Sequence, residues 1–331
     1  MAYDKAVMRS ALGQYRADLD ARRARRQEKI RSLYARVPRL EEISDALRTT
    51  AAHAVAATFR EGGDPAALVE ALSRESLALQ RERAELLVAA GYPYDFLEEK
   101  PACPLCGDEG FTDKGPCTCL LAYYTREQNR ELSKMLDLGT QSFDTFNFKL
   151  YDDAPWPELG KSPRQAMEKI YDECRDYARD FGRTRGNLLF TGAPGLGKTF
   201  LSACIAREVS EAGFSVVYDT AVHIFAQFER EKFGRENPFE ETAGAEVNRY
   251  LNCDLLILDD LGSEMTTAFI QSVLYQIVNT RLITGGRTII STNLRPQEIG
   301  ERYSPAILSR IQGEYQIKAF FGRDIRSRSD R

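Results

Sequence analysis

The second half of the chain alternates between two hydrophobic patterns. Short continuous apolar runs end in glycine or polar residues, and stretches of helical period follow them. Asn187-Leu188-Leu189-Phe190 is the first run, and Phe200 to Val209 after it reads as a helix stopping near Gly213. Phe214-Ser215-Val216-Val217-Tyr218 is a second strand, followed by a helix with Val222, Phe225 and Phe228 inward. Leu255-Leu256-Ile257-Leu258 and Arg287-Thr288-Ile289-Ile290-Ser291-Thr292 are the third and fourth. Further helices are read from about Pro163 to Phe181 and over Ser304 to Arg310. Strands that alternate with helices predict an α/β parallel sheet. Tyr151 to Pro163 reads as a loop and Gly234 to Gly244 as an exposed insertion.

The first 97 residues are patterned for helices alone. Met8, Leu12, Tyr15 and Leu19 recur at three- and four-residue steps, and the stripe continues to Ile30 and Leu33. A second helix starts at Pro38, with Leu40, Ile43, Leu47, Val55 and Phe59 inward, and Glu61-Gly62-Gly63 ends it. Asp64-Pro65 caps a third, with Leu68, Leu72, Leu79 and Leu86 on one face and Gly91 as its stop. Arg22 to Arg26 is a basic cluster that suits phosphates or an acidic partner; a solvated helix face is the plainer reading.

Chemistry enters at Gly192-Ala193-Pro194-Gly195-Leu196-Gly197-Lys198-Thr199, which fits G-x-x-x-x-G-K-[ST]. Glycines let backbone N–H groups curl around phosphate oxygens, and the helix opening at Phe200 adds its positive end. Lys198 is expected to reach the β- and γ-phosphates and Thr199 to ligate Mg²⁺. A glycine turn without a ligand would lack both the strand before and the helix after. The third run ends in Asp259-Asp260, carboxylates at the edge where open α/β sheets bind ligands. Asp259 is expected to hold Mg²⁺, and Asp260 to orient and deprotonate the attacking water. Asn293 ends the fourth strand, placed either to reach the γ-phosphate or to form a turn. Arg310 suits a trans arginine finger and Arg326 a cis sensor.

Cys103-Pro104-Leu105-Cys106-Gly107 and Cys117-Thr118-Cys119 place four thiols in a short segment. They suit a tetrahedral Zn²⁺ acting as a structural clip, with a redox dithiol as the competing chemistry. Cys174, Cys204 and Cys253 read as buried small apolar residues, and His53 and His223 as structural.

The composition narrows the class. At 331 residues there is room for about two or three domains. No apolar run approaches the roughly 20 residues that span a bilayer, and the N-terminus has no apolar signal-peptide core. With seven cysteines, an odd count, a reducing cytosol is the expected compartment. A net charge of −4 carries no global nucleic-acid signature.

The order phosphate loop, Leu258-Asp259-Asp260-Leu261-Gly262, Ser291-Thr292-Asn293, Leu308-Ser309-Arg310, Gly322-Arg323-Asp324-Ile325-Arg326 resembles one family. It is similar to the AAA+ ATPases of the bacterial replicative helicase loader group, DnaC and DnaI, and to the transposition helper IstB. The likeness covers about 98 to 331, and many relatives carry Glu where this chain has Asp260. It implies ATP, Mg²⁺ and Zn²⁺ as ligands, Asn293 as sensor 1, Arg310 as trans finger, Arg326 as sensor 2 and Phe146 near the adenine. It also implies ATP hydrolysis, single-stranded DNA, a DnaB-like replicative helicase and self-association as function and partners, and a cytoplasmic, membrane-free setting. The expected layout is a helical partner-binding region at 1–97, a four-cysteine zinc module at 98–122, a linker with helices at 123–185, and a P-loop (AAA+) core at 186–331. The chain ends soon after Arg326, so no separate lid domain is expected. The rival readings are an IstB-like helper and a nucleotide-gated replication adaptor with little hydrolysis. A small-molecule P-loop kinase is disfavoured by Asn293, Arg310 and Arg326.

Overall fold

A computed structural model describes residues 3–57, 65–134, 136, 138, 140–156, 160–183, 186–233 and 241–326, with backbone only at 51–57, 65–69, 71 and 241–243. Several expectations lie outside the described residues: Phe59, the Glu61-Gly62-Gly63 stop, the Asp64 cap, the side chains of His53, Val55 and Leu68, and most of the insertion at 234–244. The chain divides into two compact units, Gly13–Cys117, and Met1–Leu12 with Thr118–Arg331.

In Gly13–Cys117 the helices are α1 (Lys5–Arg36, which begins before the unit), α2 (Pro38–Ala57) and α3 (Pro65–Ala89). Pro38 opens α2, where its missing N–H costs nothing. Leu33, Leu40 and Leu87 form a small core, flanked by Val37, Leu86, Tyr92 and Phe96. Gly91 stops α3 at φ 83°, and the Tyr92 N–H closes the end by donating to Leu87 O at 2.9 Å. The most buried positions of α1 are Val7, Ala11, Tyr15, Leu19 and Leu33; Met8 and Leu12, expected inward, are half-buried. The stripe runs at four-residue steps, so these two flank it. Arg22, Arg23 and Arg25 are exposed, while Arg26 donates to the carbonyls of Phe96 and Glu98. A short antiparallel pair, β1 (Phe111–Thr112) and β2 (Gly115–Pro116), completes the unit.

The other unit holds α4 (Thr118–Leu132), α5 (Pro163–Arg179), β3 (Asn187–Thr191), α6 (Lys198–Glu211), β4 (Val216–Thr220), α7 (Ala221–Phe233), α8 (Glu241–Asn252), β5 (Leu255–Leu261), α9 (Ala268–Thr284), β6 (Arg287–Thr292), α10 (Pro296–Arg302), α11 (Pro305–Glu314) and β7 (Tyr315–Ala319). The expected parallel sheet is present, in the order β4-β5-β6-β3-β7. Strands β3 to β6 are buried on both faces, as continuous apolar runs require, while the edge strand β7 is partly exposed. Leu188, Phe190, Leu255 and Ile257 pack on one face with α5 and α6 residues. Leu189, Leu256, Leu258 and Ile290 pack on the other with α7, α8, α9 and α11 residues.

Two expectations are corrected here, and one strand goes beyond them. The second strand covers 216–220, because Phe214 and Ser215 belong to the turn after α6. On α7 the inward residues are Ile224, Phe225 and Phe228; Val222 is 51% exposed because it points away from that stripe. The edge strand β7 was not expected at all.

The sheet order bears on function. The loop strand β3 and the acid strand β5 are separated only by β6, which delivers Asn293. The chain leaves β3 for the far edge at β4 and later returns to put β7 on β3's other side. Such a switch point opens a crevice at the carboxyl ends of the strands.

Candidate nucleotide site

The phosphate loop runs from Gly192 to Lys198, between β3 and α6. Gly192 has φ 143°, and a Cβ there would fall 2.2 Å from the Phe320 carbonyl oxygen. Gly195 has φ 71°, and a Cβ there would meet the Asp324 carboxylate. These close approaches explain why the bend is built from glycine. The segment after β7 straps the loop: the Phe320 N–H donates to Thr191 O (2.7 Å) and the Ile325 N–H to Gly195 O (2.9 Å). Asp324 Oδ1 accepts from the Arg326 N–H at 2.9 Å.

Threonine hydroxyls tie the strand ends together. Thr191 Oγ1 donates to Leu294 O (2.6 Å) and Thr292 Oγ1 to Leu261 O (2.5 Å). Between these ends and the loop lies a cavity of about 630 Å³. Its walls include Pro194 to Phe200, Asp259, Asp260, Asn293, Ile325 and Arg326. That volume falls in the usual range for small-molecule and cofactor pockets.

Lys198 is 7% exposed and points into the group. Its ammonium donates to Gly192 O (2.5 Å), Ala193 O (2.9 Å) and Asn293 Oδ1 (2.8 Å). Burial lowers its pKa, against the raising effect of Asp259 and Asp260. Thr199 Oγ1 donates to Asp259 Oδ2 at 3.1 Å. The Asp260 N–H donates to Asp259 Oδ1 at 3.0 Å. The hydroxyl and the carboxylate therefore stand side by side on the cavity wall, and both are oxygen ligands that suit a small hard cation.

The twin acids diverge because of a bulge. The β5–β6 register shifts between Leu258 and Leu261, and Asp260 adopts φ 56°. Such a conformation costs a non-glycine residue about 1–2 kcal/mol, and strained residues cluster at functional sites. Asp259 is buried and Asp260 exposed. The bulge aims Asp260 so that Oδ1 accepts from Asn293 Nδ2 at 3.3 Å. Asn293 thus bridges Lys198 and Asp260.

Other expected residues stand apart. Phe146 packs among Phe148, Tyr151, Tyr171 and Phe200, one ring behind the wall that Phe200 and Gln141 supply. Arg310 is outside the cavity lining; its guanidinium lies 5.0 Å from the Tyr275 ring centre and donates to the Tyr275 hydroxyl at 2.8 Å. His223 Nδ1 lies 2.5 Å from Asp219 Oδ2 and Nε2 pairs with Gln227, a structural arrangement. Cys174, Cys204 and Cys253 are buried.

Cys103, Cys106, Cys117 and Cys119 come together, with all four sulfurs within 4.8 Å of one another. Cys103 and Cys117 sulfurs are 3.7 Å apart. A tetrahedral zinc with Zn–S bonds of about 2.3 Å sets an S···S edge of about 3.8 Å. The Asp108 carboxylate organises the first turn, accepting from the N–H groups of Ala102 and Cys103.

Sequence reasoning missed Tyr218, whose hydroxyl donates to Asp259 Oδ2 at 2.6 Å. It sits in an apolar strand and reads there as a core residue. It also missed Arg281, buried under the sheet and bonded to the carbonyls of Tyr250, Cys253 and Arg287.

Residues 166–313 match the family IstB-like ATP binding protein. The chain is similar to the replicative helicase loader DnaC of Escherichia coli (strain K12), 27% identical over 140 residues, which are 42% of this chain and 56% of the relative. It is also similar to the replicative helicase loader DnaI of Bacillus subtilis (strain 168), 27% identical over 151 residues, 44% of this chain and 45% of the relative. The chain spans about half the length of the curated relatives it matches. A crystal structure of the DnaC helicase loader aligns with a TM-score of 0.45 at 19% identity, covering 56% of this chain and 99% of that one. No helix among the described residues is long and apolar enough to cross a membrane. On its parallel sheet, with the phosphate loop between β3 and α6, the chain thus carries a segment that matches the IstB-like ATP-binding family and resembles the DnaC and DnaI loaders.

Proposed function

We propose that this protein is a Mg²⁺-ATP-dependent loader of a DnaB-like replicative helicase that binds single-stranded DNA and hydrolyses ATP. The observation that carries the ATPase reading is the convergence of Lys198, Thr199, Asp259, Asp260 and Asn293 on one cavity beside the glycine bend. Similarity to DnaC and DnaI supports the loader reading.

Loop N–H groups from Gly192 to Thr199 and the start of α6 receive the phosphates. Lys198 exchanges its contacts with Gly192 O and Ala193 O for the β- and γ-phosphate oxygens. Thr199 and Asp259 would hold Mg²⁺, which would supply positive charge to offset that of the phosphates. Asp260 accepts a proton from the attacking water, and Asn293 holds that water and the γ-phosphate in line. Arg326, on the cavity wall, answers to the nucleotide of its own chain. Arg310, away from it, serves a neighbouring copy when subunits assemble. The helical region of 1–97 engages the helicase, and Zn²⁺ clips the module of 98–122. The 123–185 segment leads to the ATPase core of 186–331, and the protein works in the cytoplasm.

An IstB-like transposition helper is the second reading, favoured by the family match over 166–313. Such a helper binds duplex DNA and a transposase, so capture of a helicase by the full chain decides for the loader. Phosphate release is the test of hydrolysis. Turnover that falls in both Lys198→Ala and Asp260→Asn supports the assigned site; unchanged turnover in both removes it. Tight ATP binding without release, even with DNA and helicase present, makes the protein a nucleotide-gated adaptor instead.

A further inference from the structure

The Asp259 carboxylate is held by three donors. Thr199 Oγ1 and the Tyr218 hydroxyl both give to Oδ2, at 3.1 and 2.6 Å, and the Asp260 N–H gives to Oδ1 at 3.0 Å. Thr199 would offer an oxygen lone pair to the metal, so its own position would depend on the ion. Of these three, Tyr218 and one backbone N–H are the donors that do not themselves become metal ligands. Tyr218 lies on β4 beside Ile257 of β5, and its ring packs in the core shared with α6. It is 9% exposed, and on these two strands the nucleotide cavity is lined by Thr220, Asp259 and Asp260 rather than by Tyr218.

We propose that Tyr218 is a positioning residue for Asp259, setting how well the site holds the magnesium of the nucleotide complex. This rests on the nucleotide site proposed above. A phenol ordinarily keeps its proton up to about pH 10, so this hydroxyl is a donor at neutral pH. A donor that orients a carboxylate ligand fixes its rotamer before the cation arrives. Loss of such outer partners typically weakens metal affinity about 10- to 100-fold.

Tyr250 is an internal control. It is also buried, and its hydroxyl donates at 2.6 Å to Asp219, the residue next to Tyr218, not to Asp259. Tyr218→Phe and Tyr250→Phe each delete one buried hydroxyl from the same unit, and only the first touches the acid strand's carboxylate.

The experiment is equilibrium binding of a fluorescent ATP analogue to the full chain, titrated with Mg²⁺ and repeated in EDTA. Tyr218→Phe is expected to raise the Mg²⁺ midpoint at least tenfold and to leave EDTA-phase affinity within twofold. Tyr250→Phe is expected to leave both within twofold. In an Asp259→Asn background, Tyr218→Phe is expected to add nothing. A Tyr218→Phe midpoint within twofold of wild type overturns the proposal. So does an equal loss with and without Mg²⁺, or the same shift in Tyr250→Phe, since each marks general loosening. A wild-type chain that binds no nucleotide removes the site itself, and the role of Tyr218 with it.

Discussion

Lys198→Ala separates the cost of a buried ammonium from its use. In the folded chain the Lys198 ammonium is 7% exposed and donates to three acceptors at 2.5, 2.9 and 2.8 Å. Hydrogen bonds involving a charged group contribute about 1.5–3 kcal/mol each, but desolvation of the ammonium opposes them. Lowering of the lysine pKa by burial shows that desolvation outweighs the nearby carboxylates. Lys198 itself and its acceptor Asn293 line a cavity of about 630 Å³, so water can replace the ammonium in the variant. The net effect on folding is therefore small, within about 1 kcal/mol, or roughly 2–4 °C in melting temperature for a unit of this size. Phosphate binding loses its charged donor, about 2–3 kcal/mol, which weakens ATP affinity roughly 30- to 150-fold.

The assay is titration calorimetry with a slowly hydrolysed ATP analogue, beside thermal melts of the nucleotide-free chain. Affinity within threefold of wild type refutes the assignment. A melting temperature lowered by more than about 5 °C refutes the energetic argument. A pH series adds a signed check. Between the lowered pKa and the ordinary lysine value near 10.4, the unfolded chain binds more protons than the folded one, so this group favours folding more as pH rises. The wild-type melting temperature minus that of Lys198→Ala should therefore increase with pH through that window.

Three further outcomes are expected. Arg281→Leu strands the buried carbonyls of Tyr250, Cys253 and Arg287 at about 1–3 kcal/mol each, so melts should fall by roughly 6–12 °C or more; a shift under 2 °C contradicts this. Arg310→Ala should leave ATP affinity unchanged and cut turnover about a thousandfold, and mixing it with Asp260→Asn chains should restore activity by pairing an intact site with an intact finger. For zinc, metal analysis should find one ion per chain, lost in Cys106→Ser. After chelation Cys103, Cys106, Cys117 and Cys119 should react with a thiol reagent at pH 8, while Cys204, whose pKa burial raises to about 12, stays silent until denaturation.

What the residues reveal depends on whether their signal is local. β3, the loop and α6 are read from one stretch because glycines, lysine and flanking apolar residues sit side by side. β5 is visible because four apolar residues precede two acids. β7 is not: Tyr315-Gln316-Ile317-Lys318-Ala319 follows α11 directly, with Gly313 inside the last helical turn rather than between the elements, and as an edge strand it mixes buried and exposed positions. Val222 shows the limit of helical period, since two stripes fit α7 nearly equally and only packing selects Ile224, Phe225 and Phe228. Tyr218 and Arg281 are illegible for another reason. Their partners, Asp259 at one end and the Tyr250, Cys253 and Arg287 carbonyls at the other, are joined by sheet topology alone. Phe146 packs edge-on against Phe200, a residue of the cavity wall, a contact that its own sequence neighbourhood does not announce.

Crystals grown with a non-hydrolysable ATP analogue and Mn²⁺ in place of Mg²⁺ give the most direct test. An anomalous peak within bonding distance of Thr199 Oγ1 and one water or less from Asp259, with triphosphate density over Gly192 to Lys198, is the predicted result. A peak away from those two side chains, or a triphosphate bound elsewhere on the chain, contradicts the account.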